Sequence, residues 1–108
     1  VSPGDYVTFK FLPASRHDPG RLEQALVVFE NTLTEFNRKR VPMQWAITQS
    51  NLAALHGTIF EKTNEVEHLT LTEGRAREAR EVFVAAQASR YVEVTDRILA
   101  TIAARRGG

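Results

Sequence analysis

The chain contains no cysteine, which excludes disulfide staples, thiolate nucleophiles and cysteine-based zinc sites. Long apolar runs are missing as well. No stretch approaches the roughly 20 residues a membrane-spanning helix needs, and no signal-peptide pattern opens the chain. Charge of one sign is also absent, since 14 Lys and Arg stand against 13 Asp and Glu. That balance leaves no electrostatic footprint for nucleic acid. Gly4, Gly20, Gly57 and Gly74 are isolated, so no glycine-rich loop can cradle a phosphate. No Gly-x-Ser-x-Gly elbow presents a nucleophile. Together these absences point to a cytoplasmic, non-catalytic protein without cofactor or metal.

What is present suits one helical domain. At 108 residues and 43% hydrophobic composition, the chain can bury a modest core. It begins with Val rather than Met and is read as a piece of a longer polypeptide. Residues 1–17 stand apart. Tyr6-Val7-Thr8-Phe9-Lys10-Phe11 alternates apolar and polar, the pattern of a short strand or extended arm. A helical domain is expected over 18–106.

The first helix opens at Asp18-Pro19, an N-cap followed by proline at the first helical position. Leu22, Ala25, Leu26, Phe29, Leu33 and Phe36 form its apolar stripe. Arg38-Lys39-Arg40 would place cations at its C-terminus. Val41-Pro42 then breaks it, because the residue before proline avoids the helical region. A second helix runs from about Pro42 to Phe60 with Trp45, Gln49, Leu52, Leu55, His56 and Ile59 inward. Residues 61–71 read as a polar loop. Thr70 and Glu73 have capping-box spacing for a third helix carrying Ala76, Ala79, Phe83 and Ala86. A last stripe, Tyr91, Val94, Thr95, Ile98, Leu99 and Ile102, is out of step with the third, so a break is expected at 88–90 with Ser89 as N-cap.

The chain also repeats itself. Ala25-x3-Phe29-x2-Thr32 matches Ala79-x3-Phe83-x2-Ala86 at an offset of 54 positions. Small residues let two helices approach, and the phenylalanine fills the groove between them. With Leu22-Glu23-Gln24-Ala25, then Pro42, Trp45-Ala46, Gln49, Asn51-Leu52 and Ala53, the chain resembles the tetratricopeptide repeat family. It is closest to the variant whose helices open Pro-x2-Trp-Ala-x2-Gln-x-Asn-Leu-Gly. The resemblance is good over 18–55, weakens through 56–74, returns at Ala79-Phe83-Ala86 and does not cover 1–17. Ala53 stands where the family has glycine, and His56 where it has an aromatic. The offset also exceeds the family's usual period.

The resemblance implies an all-α, antiparallel helical-hairpin fold of three to four helices, here the C-terminal end of a longer array, within a larger bacterial protein. It also implies a non-catalytic scaffold that binds a protein or peptide partner along a concave face. Carried over to this chain, that face comprises Ile47, Ser50, Ala54 and Thr58. The family's grip on a peptide C-terminal carboxylate needs a lysine and an asparagine at the places of Ser50 and Ala54, so an apolar segment or helix fits better. A homodimer is the second reading, because a truncated array exposes an apolar face. An accessory or sensor region of a multidomain protein is the third.

The chemistry-bearing residues have plain readings. His56 fills an aromatic's slot in the core, and His68 belongs to the surface loop. Trp45 packs near Phe36 on the preceding helix. Gln49 and Asn51 bind backbone carbonyls at the turn. Glu61 with Glu65, and Glu78 with Glu81, are solvated pairs.

Overall fold

The computed structural model describes residues 19–107, with side chains from Leu22 onward. The arm over 1–17, including its Tyr6–Phe11 strand, lies outside the described residues. Within them the chain is all-helical: α1 (Pro19–Glu35), α2 (Pro42–Thr63), α3 (Val66–Ala85) and α4 (Ser89–Gly107). The break expected near 88–90 is present.

α2 is the centre of the fold. Every residue from Gln49 to Ile59 is buried, together with Ala46 and Thr48. A helix buried all round needs neighbours on several sides, and α2 packs on α1, α3 and α4. Leu22, Leu55 and Ile59 form the α1–α2 contact, flanked by Ala25, Leu26 and Phe29. Ala46, Ala79, Val82 and Phe83 join α2 to α3, with Trp45, Tyr91 and Val92 packed around them. Ala53, Ala76, Val94 and Ile98 form a third contact between α2, α3 and α4. Alanines recur in the last two contacts because small side chains bring helix axes close.

Three boundaries differ from expectation. First, α1 ends at Glu35, so Arg38-Lys39-Arg40 occupy a turn and not the helix C-terminus. Asn37 stops the helix, its side-chain oxygen accepting the Lys39 N–H at 2.7 Å and its carbonyl accepting from Val41 at 2.9 Å. Asparagine favours such local capture over helix. Second, residues 61–71 are not a loop. α2 runs to Thr63, Asn64 adopts a left-handed conformation at φ 60° with its N–H bonded to Phe60, and α3 begins at Val66. Thr70 and Glu73 therefore lie inside α3 and form no capping box, and Gly74 lies mid-helix. Third, Ser89 is the first residue of α4 rather than its cap. The carbonyl of Ala88 accepts the first N–H groups, from Tyr91 and Val92.

The α3–α4 corner is a Schellman turn. Ala88 N–H reaches the Phe83 carbonyl at 2.9 Å, Gln87 N–H reaches Val84 at 3.0 Å, and Gln87 holds φ 58°. That position ordinarily takes glycine, which alone has no Cβ penalty there.

Candidate functional site

The polar groups that matter lie between α2 and α3. Gln49 and His56 are seven residues apart on α2, two helical turns, and so share one face. Both are buried. On α3, His68 and Arg75 have the same seven-residue spacing and meet them.

Gln49 works in both directions. Its amide donates to Glu78 Oε1 at 3.1 Å, and its carbonyl accepts from Arg75 Nη1 at 2.7 Å. This bridge replaces the expected contact with backbone carbonyls at a turn. Arg75 also reaches Glu30 of α1 at 3.7 Å, so one guanidinium touches three helices. Its Nε is buried without a partner.

His56 is 4% exposed and its Nδ1 lies 3.0 Å from Nδ1 of His68. The ring centroids are 5.3 Å apart and the planes differ by 28°. The difference between these two distances is about the sum of the centroid-to-nitrogen spans, so the rings meet edge to edge. This is an in-line N–H···N hydrogen bond and not a face-to-face stack. Behind it, His68 Nε2 faces Glu65 Oε1 at 3.5 Å. His68 is thus no loop residue: it belongs to the first turn of α3 and is half-buried.

One ring donates and the other accepts across the Nδ1–Nδ1 contact, and which does so depends on the tautomers. In either case His56 Nε2 is buried without a partner. Burial, reinforced by the charge of Arg75 and then by His68, holds the His56 pKa down at about 4. Glu65, Glu67 and His68 place ligand-type atoms within 4.8 Å of one another. Glu65 and Glu67 are exposed, and His68 meets His56 through Nδ1 and Glu65 through Nε2.

The expected partner-binding residues are not at the surface. Ser50, Ala54 and Thr58 are buried, and Ile47 is half-buried against the Ala53–Val94–Ile98 contact. Among the described residues they therefore belong to a helix surrounded by neighbours rather than to an exposed surface.

Of the repeat-signature residues, Leu52, Ala53, Ala79 and Phe83 are fully buried, and Ala25 and Phe29 line the α1–α2 contact. Pro42 is the first residue of α2, and Ala86 is an exposed C-cap rather than a contact residue. Trp45 packs with Ala79, Val82 and Phe83 of the α3 contact, and its outer face lies 4.9 Å from the Arg38 guanidinium. Arg38 also pairs with Glu81 at 3.0 Å. Glu61 is held by Arg105, whose Nε donates at 2.8 Å. Glu81 thus pairs with Arg38 while Glu78 accepts from the neutral amide of Gln49, so the two are not a working pair.

One surface feature was missed in the sequence. Val27 and Val28 of α1 are 56% and 60% exposed, outside the stripe of Leu22, Ala25, Leu26 and Phe29. Two adjacent valines in a helix with a complete inward stripe were the available signal.

Over the described residues, fold and site together make an all-helical unit with a polar seam between its two central helices. No described helix is long and apolar enough to cross a membrane. No family model, no curated protein and no solved structure matches the chain.

Proposed function

We propose that the chain is a tetratricopeptide-like interaction module that docks an amphipathic partner helix on the outer face of α1. One observation carries this reading. The offset of 54 that lays Ala25-Phe29 on Ala79-Phe83 also pairs Val28 with Val82. Val82 is 7% exposed, packed with Ala46 of the helix before it, whereas Val28 is 60% exposed. Among the described residues no helix precedes α1, so by its place in the repeat Val28 is without a counterpart of α2 there. Such a helix would offer a small residue beside an aromatic, as Ala46 and Trp45 do for α3. This replaces the groove of Ile47, Ser50, Ala54 and Thr58 as the docking surface and keeps the scaffold role without catalysis.

Self-association is the second reading, favoured by the adjacency of Val27 and Val28, which could meet their counterparts across two copies. One experiment separates the readings. A labelled peptide spanning Pro42–Thr63 is titrated with the whole chain, and the solution mass of the chain is followed by light scattering. Peptide binding lost in Val28→Asp supports the partner-helix reading. A dimer lost in the same variant supports self-association. A monomer that binds no peptide overturns both.

A further inference from the structure

Resting on the reading that a partner helix docks on α1, we propose that this partner carries a carboxylate, Asp or Glu, at the place that Gln49 holds in α2. The register behind this choice is structural as well as sequential. The 54-position offset lays Leu22, Leu26 and Phe29 on Ala76, Arg80 and Phe83. Leu22, Leu26 and Phe29 carry the contact of α1 with the helix that follows it, α2. Ala76, Arg80 and Phe83 carry the contact of α3 with the helix that follows it, α4. Ala76 packs with Val94 and Ile98, Arg80 holds Asp96 at 2.6 Å, and Phe83 lies on Tyr91. α1 thus leans on α2 as α3 leans on α4.

The helix before α3 takes the adjoining side of it. There Val82 packs with Ala46, Arg75 donates to the Gln49 carbonyl, and Glu78 accepts from the Gln49 amide. At the same offset these three places of α3 fall on Val28, Arg21 and Gln24. Spacings of three and four residues put them on one side of α1. Gln24 is exposed there, as Val28 is. One exchange separates the two helices: an Arg–Glu pair in α3 is an Arg–Gln pair in α1. Ionised Glu78 can only accept, so it requires a donor such as the Gln49 amide and would repel an acid. Gln24 also donates, so a carboxylate facing it is accommodated and gains a charge-assisted hydrogen bond. Asp18, the nearest acid on that side, stands six positions from Gln24 at the place of Thr72. Thr72 bonds its own helix and takes no part in the Gln49 bridge.

The test uses the whole chain and labelled Pro42–Thr63 peptides with Gln, Glu or Lys at position 49, titrated by fluorescence anisotropy. The Glu peptide should bind roughly threefold or more tighter than the Gln peptide, and the Lys peptide more weakly than both. In Gln24→Glu, which restores the α3 pattern on an exposed position, the Gln peptide should instead bind tighter than the Glu peptide. Equal binding of the Gln and Glu peptides, or a Glu preference that persists in Gln24→Glu, would overturn the proposal while leaving helix docking standing. Binding of none of the three peptides would overturn the docking reading and this proposal with it.

Discussion

The Phe83 ring lies against the Tyr91 ring with centroids 5.0 Å apart and planes 20° from parallel. Phe83 is fully buried in the α2–α3 contact and Tyr91 is half-buried at the start of α4. This pair fastens α4 to the central hairpin across the Schellman corner. Truncating Phe83 removes both the burial and the ring contact. Phe83→Ala should cost about 3–5 kcal/mol in urea unfolding, and Tyr91→Ala less, since its ring is only partly covered. A Phe83→Ala loss under about 1 kcal/mol would mean the corner is not cooperative with the core.

Two glycine exchanges of opposite sense should both stabilise the chain. Gly74 sits exposed in the middle of α3, and a Cβ there would meet nothing within 4 Å. Gly74→Ala should add about 0.5–1 kcal/mol by limiting the unfolded chain. Gln87 pays the left-handed penalty at φ 58°. Gln87→Gly should therefore relieve up to about 1 kcal/mol. Thermal unfolding of each single variant measures the effect, and additivity is expected because the sites lie 13 residues apart and share no partner.

Gln49 should be costly to lose. Gln49→Leu removes the acceptor of Arg75 and the donor to Glu78 while keeping similar bulk. A loss of about 1.5–3 kcal/mol is expected, because a half-buried guanidinium is left short of a partner. Adding Arg75→Met should recover part of that loss, since the stranded charge goes with it. Denaturation of the single and double variants gives the coupling directly.

The sequence made the helices legible where apolar spacing was clean. α1, α2 and α4 announce themselves through Leu22 to Phe29, Leu52 to Ile59 and Tyr91 to Ile102. The first two turns of α3 were hidden because its inward positions there include His68 and Thr72, polar residues that interrupt the apolar stripe. Thr72 is fully buried, its hydroxyl donating to the His68 carbonyl at 2.8 Å. Asn37 and Asn64 decided helix ends that the basic run and the polar stretch had suggested elsewhere. The polar seam was half visible. His56 and Gln49 lie on one predicted face, but nothing in sequence spacing told that His68, 12 positions away, would complete an in-line bond. That required the hairpin to close at Asn64 and not over a long loop.

Stability should fall as the solution becomes acidic. His56 is held at about 4 in the folded chain against 6.5 unfolded. The unfolded chain therefore binds more protons between these values, and stability rises with pH there. The contribution is complete above about pH 7 and is lost progressively as pH falls through 6.5 toward 4, about 3 kcal/mol at most. Urea midpoints at pH 7.5 and 4.5 should differ in the native chain and differ less in His56→Phe. A native chain equally stable at both would contradict the burial argument.

The proposed docking role of α1 is tested most directly by fluorescence anisotropy of the labelled Pro42–Thr63 peptide, titrated with the native chain and with Val28→Asp. Val28 is exposed, so the substitution should leave unfolding within about 0.5 kcal/mol of native, which circular dichroism verifies. Saturable binding to the native chain that disappears in Val28→Asp is the expected result. No binding to the native chain, or equal binding to both, would contradict the assignment of α1 as the docking face.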